Sequence, residues 1–329
     1  MRTLTAIDDR EIKELLARDE FFWLDLTAPG EEDMRSLGEL LHLHPVAVEA
    51  ASTFPERPRL EDFDGYVLLI FAGVGGQGRD PLAPFGVHML ISGSYIVTVH
   101  LEHCSPLAEV RQGLARKEPG SEGFVVYRVL DVLTDSFLTA LESVDEDIDT
   151  LENAVITKTS EEQLQRIFQL KRSLVTLRRI ATPQRDVLAR AIDEINELPG
   201  FDPGSRDYFR DVYDHMIRVS DLIDPYRDLL TGALDVYLST VSNRLNTVME
   251  RLTLVATIFL PLAFVTGFFG QNFGWMVRHI SSFGAFLIFG VGGILVPVLI
   301  MLVVFGRAGY LGETVRARLG ETRGRQVST

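Results

Sequence analysis

The stretch "RDLLTGALDVYLSTVSNRLNTVMERLTLVATIFLPLAFVTGFFGQNFGWM" (227–276) decides the fold. It opens as a charged sequence with helical spacing of its apolar residues. After Arg251 it loses all charge, and it ends in Gly270-Gln271-Asn272, with no further charge until Arg278. Leu252 to Val277 is 26 residues without a charge, and Ile280 to Gly306 is another 27. Each is long enough to cross a hydrocarbon core of about 30 Å, which takes roughly 20 apolar residues at helical rise. Two core helices of a soluble protein would seldom be this long and this apolar on every face.

The flanks orient the two spans. Arg244 and Arg251 precede the first; Arg307, Arg316, Arg318, Arg323 and Arg325 follow the second; the connecting loop has only Arg278. The positive-inside rule then places both termini in the cytoplasm of an inner or plasma membrane and the short loop outside.

Outside this region the chain is acidic. The 329 residues carry a net charge of −14, yet residues 251–329 hold seven basic and two acidic side chains. An acidic body with a basic tail argues against nucleic acid as a partner, because phosphate contacts need Lys/Arg-rich surface. It suits a protein that gathers cations. The single cysteine, Cys104, precludes an internal disulfide framework, and the N-terminus lacks the apolar core of a cleavable signal.

Working toward the N-terminus, 206–269 reads as one helix of more than sixty residues with Pro225 before the membrane, where a kink is expected. "LPGFDPGS" (198–205) separates it from helical stretches over 122–156 and 160–197. Residues 1–120 read as a mixed α/β domain. "FFWLDL" (21–26), "YVLLIFAG" (66–73), "GVHMLI" (86–91) and "YIVTVH" (95–100) are strand-like, the last two joined by a "SGS" turn. "PGEEDMRSLGELL" and "HPVAVEAAS" read as helices with proline near the start, where a missing amide costs little. The predicted organisation is an α/β domain (1–120), a helical stalk and hairpin region (121–250), two membrane helices with a short outer loop (251–306) and a basic tail (307–329).

"QLKRSLVTLRR" (169–179), "RDYFRDVYDH" (206–215) and the 227–273 stretch closely resemble the CorA family of divalent-cation channels, the two-helix group with a Gly-Xaa-Asn signature. The resemblance is strongest over about 125–305. It implies a funnel-shaped homopentamer in the lipid bilayer, with an α/β N-terminal cytoplasmic domain, long stalk helices and a pore lined by the first span. It implies no enzyme activity and no organic cofactor. The transported and regulatory ion is expected to be Mg²⁺ or another divalent cation such as Co²⁺ or Ni²⁺.

Mapped onto this chain, the family's pore face takes Asn246, Met249, Leu252, Ala256, Leu260, Ala263, Gly267, Gly270 and Asn272; Gln271, beside them in the signature, either joins the ring and alters ion choice or faces a neighbouring subunit and serves packing. Up to Gly270 the steps are three and four residues, as one helical face requires. Polar rings would lie at the two ends and an apolar zone between, a constriction able to close by losing its water. Neutral amide oxygens suit Mg²⁺, which dehydrates reluctantly, because they accept hydrogen bonds from the water shell the ion keeps. Phe259, Phe264 and Phe268 fall on the other face and suit lipid or the second span.

Three departures bear on the ion. Gln271 stands where magnesium channels carry methionine, Ala263 replaces a threonine ring, and the outer loop "FGWMVRHISS" has no acid. The alternative is a zinc transporter of the ZntB type, with proton coupling, to which His279 would offer an imidazole. An alternative of another class is a non-conducting membrane sensor of cations.

For regulation, Asp211 and His215 lie four apart on one helical face. The resemblance gives Asp211 the place of an interface aspartate that binds regulatory cation, with Asp135 in the same zone and Asp80 as partner acid. "VDEDIDTLEN" (144–153) would help concentrate cations. "HLEHC" (100–104) has metal-ligand residue types, but strand alternation separates His100 and Glu102 from His103. "GVGGQG" (73–78) lacks the Lys-Ser/Thr pair of a phosphate loop.

Overall fold

The computed structural model describes residues 1–75, 81–116, 121–202, 204–271, 274–279 and 282–307. They fall into two compact units, Met1–Thr240 and Val241–Thr329.

The first unit is built on a six-stranded mixed sheet of order β1-β2-β6-β5-β4-β3. Its strands are β1 (Arg2–Leu4), β2 (Phe22–Thr27), β3 (Arg59–Phe63), β4 (Tyr66–Val74), β5 (Pro84–Ser92) and β6 (Tyr95–His100). Strands β1, β2 and β6 are parallel; β6, β5, β4 and β3 are antiparallel neighbours. The four apolar runs in the sequence are β2, β4, β5 and β6, and the "SGS" turn joins the last pair. Gly93 at that turn is fixed by close approach: a Cβ there would lie 1.6 Å from the carbonyl oxygen of Pro199.

Helices α1 (Asp9–Ala17), α2 (Glu31–Leu40) and α3 (Pro45–Ser52) cover one face of the sheet, burying Ile12, Met34, Leu37 and Ala47 against Leu24, Leu68 and Leu90. The other face packs Trp23, Phe71 and Met89 into a core shared with α4 (Ser105–Arg116), α5 (Glu122–Thr157), α6 (Glu161–Glu197) and the first part of α7 (Ser205–Phe269). The long helices start at proper caps. Ser121 accepts from the Phe124 amide, and Ser160 and Gln163 form a reciprocal capping box. The α7 helix runs through Pro225 unbroken.

Strand β3 ends opposite Ile70, so the outer edge of β4 beyond it has no strand partner. A buried side chain takes that place. Gln184 of α6 accepts from the Ala72 amide at 2.8 Å and donates to the Ala72 carbonyl at 3.1 Å. The Ser136 hydroxyl of α5 accepts from the Val74 amide at 2.9 Å. A primary amide offers the same donor and acceptor as a peptide group, so Gln184 completes the ladder that β3 leaves short.

His88 on β5 is fully buried and stacks on Phe54 at 3.8 Å. Burial lowers its pKa from 6.5 to about 4, so the folded ring is neutral. The unfolded chain binds this proton first as pH falls. Stability from this group is therefore complete above pH 6.5 and is lost as pH falls through that window toward 4. The loss is expected to total about 3 kcal/mol at most. Thermal melts of the full-length protein from pH 7.5 downward should fall steeply in this window, and His88→Leu should flatten the slope. An unchanged slope in the variant would refute the assignment.

In the second unit, the remainder of α7 is followed by α8 (Gly274–His279) and a second apolar segment. That segment comprises α9 (Phe283–Ala285), a π-helical stretch (Phe286–Gly292) and α10 (Gly293–Arg307). Among the described residues two helices are long and apolar enough to cross a membrane, α7 and Phe283–Phe305. None of the most apolar stretch of either is buried inside the chain, which is the opposite of what a soluble core helix shows.

Candidate functional site

Two groups of residues carry chemistry, one in each unit. In the first, α5 and α7 bring together Asp131, Asp135, Asp211 and His215. Asp131 and Asp135 are one helical turn apart on α5, and Asp211 and His215 one turn apart on α7. One carboxylate oxygen each of Asp131 and Asp135 and a ring nitrogen of His215 lie within 4.8 Å of one another. His215 Nδ1 is 3.4 Å from Asp135 Oδ1, and His215 Nε2 is 3.9 Å from Asp211 Oδ1. These are ion-pair distances, but Nδ1 itself is buried without a hydrogen bond. The Tyr127 hydroxyl donates to Asp211 Oδ2 at 3.3 Å, and Arg128 pairs with Asp131.

The cluster holds three carboxylates against one guanidinium and one imidazole. Burial and then the Asp135 carboxylate hold Asp131 above the ordinary carboxylate pKa, with Arg128 and His215 opposing. Burial and the nearby Asp131 and Asp211 push the Tyr127 hydroxyl up to about 12. An added cation would relieve both. Three carboxylates supply hard oxygen ligands, and the unpartnered imidazole nitrogen extends the set toward first-row metals.

Asp135, Asp211 and His215 are thus brought together as the sequence suggested; Asp80 lies outside the described residues. Sequence reading missed Asp131, which is 5% exposed. Its signal was an acid at i, i+4 from Asp135 amid the apolar residues of "VLDVLTDSF" (129–137).

The second group is the α7 strip. Asn246, Met249, Leu252, Ala256, Leu260, Ala263 and Gly267 are all exposed in the protomer, with Leu260 at 74%. Leu254, Thr257, Ile258, Pro261, Leu262 and Val265 form a separate, half-buried face. Val265 Cγ1 lies 3.5 Å from where a Cβ on Gly293 of α10 would stand. The strip therefore faces away from the second span. Phe259 and Phe264 are also exposed in the protomer, so they do not pack on the second span.

At the strip's end, Gly270 has no left-handed backbone; its glycine is explained by contact, because a Cβ would lie 3.0 Å from the Thr266 carbonyl oxygen. Gln271 is exposed and donates its amide to the Phe268 carbonyl. Asn272 lies outside the described residues. His279 stacks on Trp275 at 4.6 Å, and its Nδ1 contacts the Trp275 carbonyl.

The family model for "CorA-like Mg2+ transporter protein" matches residues 18–307. The chain belongs to this family. It is 32% identical over 297 residues to the cobalt/magnesium transport protein CorA of Thermotoga maritima, covering 88% of this chain and 83% of that one. It is 29% identical over 298 residues to the putative metal ion transporter YfjQ of Bacillus subtilis, covering 88% and 90%. The fold matches the complete CorA magnesium transporter structure from Methanocaldococcus jannaschii, with a TM-score of 0.74 at 23% identity over 87% of this chain and 90% of that chain. It also matches the ZntB cytoplasmic domain from Vibrio parahaemolyticus, with a TM-score of 0.59 at 17% identity over 67% and 88%. The CorA-type architecture expected from the sequence, an α/β domain followed by a long helix and two candidate membrane helices, is the one observed.

Within this CorA-family frame the "HLEHC" residues do not share a site. Buried His100 contacts Asp25 Oδ1 through Nε2 at 3.0 Å and the Glu102 carbonyl through Nδ1 at 2.6 Å. Thr98 donates to the same carboxylate at 2.7 Å, and Arg111 pairs with it. Burial works to raise the Asp25 pKa, but the His100 and Thr98 hydrogen bonds and the adjacent positive charges outweigh it and hold it low. Burial pushes the Cys104 thiol up to about 11, so it is not a ready thiolate ligand.

Proposed function

We propose that this CorA-family chain passes divalent cations, Mg²⁺ first, through a pore that five copies form around a common axis. The observation that carries this reading is the exposed α7 strip, which faces away from the second span and has no partner within the protomer among the described residues. Met249, Leu252, Leu260 and Ala263 would form the apolar gate, with Asn246 at the inner end and Gln271 and Asn272 at the mouth. An apolar ring excludes water and ions until it widens. Both termini would lie in the cytoplasm of an inner or plasma membrane.

Asp131, Asp135, Asp211 and His215 would hold a regulatory divalent cation. Bound, it offsets the mutual repulsion of the carboxylates and favours the closed arrangement; removed, the repulsion loosens the site. Asp211→Ala is expected to raise the internal cation concentration needed for half-inhibition by about tenfold, the worth of one charge-assisted ligand. Patch recording with controlled internal Mg²⁺ tests this, and unchanged inhibition would remove Asp211 from the mechanism.

A zinc-carrying, proton-coupled mode is the second reading, favoured by Gln271 at the signature's middle position and by Arg278 in an outer loop without acids. Flux into proteoliposomes, ion by ion and with and without a pH gradient, separates the two. Mg²⁺ entry indifferent to the gradient supports the channel; Zn²⁺ entry that follows it supports the rival. Intact pentamers with no flux of any divalent ion would instead indicate a cation sensor.

A further inference from the structure

Proline interrupts α6 and α7 at the same level of the first unit. Pro183 lies inside α6 and Pro225 inside α7, and both helices run on through them. Proline has no amide hydrogen, so the carbonyl four residues back loses its helical donor. Those carbonyls are Arg179 in α6 and Asp221 in α7.

Two side-chain contacts fix the register of these antiparallel helices. Gln184 of α6 donates to Met216 Sδ of α7 at 3.7 Å, and Arg178 of α6 donates to Asp224 of α7 at 2.6 Å. The interrupted turn 179–183 lies wholly between these contacts. The interrupted turn 221–225 begins between them and ends one residue past Asp224. The two gaps in backbone bonding therefore stand side by side.

Other interactions are thin in the same place. The Ser220 hydroxyl is buried without a hydrogen-bond partner, although a helical serine often returns its hydroxyl to the carbonyl four residues back. Ala181 is the only residue of α6 buried between Leu177 and Gln184, so a single methyl fills the core there. Either side is better tied. Gln184 holds the Ala72 backbone of the sheet, and farther along Lys171 donates to Thr231 at 2.8 Å while Arg166 pairs with Asp147 of α5. Helix α5 has no proline in its 36 residues.

A proline in one helix makes a local weak point. Two at one level, in neighbouring helices packed beside an uninterrupted third, make a band across which the bundle bends with α5 as its spine. We propose that the turns 179–183 and 221–225 form one double hinge, which lets the part of α7 beyond Pro225 swing against the part that carries Asp211 and His215. Asp224, held by Arg178 across the helices and by Arg227 at 3.1 Å, is the surface latch beside it. The hinge does not rest on the transport reading.

The test is hydrogen–deuterium exchange, read by mass spectrometry on the full-length protein in detergent, for the wild type, Pro225→Ala and Pro183→Ala. Alanine restores the missing amide and is the better helix former, so both variants should fold. In the wild type, segments 180–186 and 222–228 are expected to exchange at least tenfold faster than the turns around Leu174 and Leu230. Pro225→Ala should slow exchange about tenfold or more in 222–228, within the penalty of an interior proline. It should also slow 180–186 of α6, because the band opens as one. Pro183→Ala should act in the same way from the other helix, and neither should change exchange in β4. Slowing confined to the substituted helix would mean two independent kinks and would overturn the inference. Equal slowing in β4, the mark of global stabilisation, would overturn it too, as would wild-type segments that exchange no faster than their neighbours.

Discussion

Replacing Asn272 with alanine is expected to cut divalent-ion flux at least tenfold while leaving the assembly intact. Mg²⁺ holds its inner waters tightly, so a mouth that passes it must bind the hydrated ion. Neutral amide oxygens do this by accepting hydrogen bonds from polarised water. One such charge-assisted bond is worth about 1.5–3 kcal/mol, and 1.4 kcal/mol is a factor of ten. In the proposed pentamer the substitution removes five acceptors at once. Neighbouring Arg278 cannot compensate, since it repels cations and has no acceptor. The measurement is initial Mg²⁺ uptake into proteoliposomes at matched protein density, with the oligomer checked by size-exclusion chromatography. Wild-type uptake by Asn272→Ala would place selectivity elsewhere on the strip, with Gln271 the next residue to change. Asn272→Gln keeps the amide and should retain more flux than alanine.

Gln184→Leu is expected to destabilise the first unit by about 2–6 kcal/mol. The leucine fills much of the same volume but leaves the Ala72 N–H and C=O both buried and unpaired. Each such orphan costs about 1–3 kcal/mol, against a total stability of only about 5–15 kcal/mol for an ordinary domain. Gln184 is fully buried, so water cannot take over. Urea titration of the full-length protein, followed by hydrogen exchange at the Ala72 amide, reads both the loss and its location. A change below about 0.5 kcal/mol, within ordinary surface-substitution noise, would mean that the strand edge finds another partner.

These two positions also mark how far the sequence could be read. The signature and the three-and-four spacing of the strip stand in one contiguous stretch, and the strands with long apolar runs announced themselves. Strand β1 is three residues long, and β3, "RLEDF", is mostly charged because it is an edge with one wet face; neither has a periodic signal. Gln184 reads as an ordinary polar residue on a helix. Its role depends on β3 starting only at Arg59, more than a hundred positions away. The Asp25 network likewise joins residues some seventy-five positions apart. Asp211 and His215 were legible as a helical pair, whereas Asp131 needed the packing of α5 against α7. Contiguous patterns are visible along the chain, but polar partnerships across elements are set by topology.

The π-helical stretch Phe286–Gly292 carries a consequence for chain length. Its hydrogen bonds close over five residues in place of four, so it accommodates one residue more than a regular helix of equal rise. Shortening the chain by one residue here would convert the stretch to an ordinary helix and leave Gly293 free to keep its seat against Val265. The same deletion inside α10 would rotate every following side chain by about 100°. The second span can thus absorb a single-residue deletion in its first half, but not in its second.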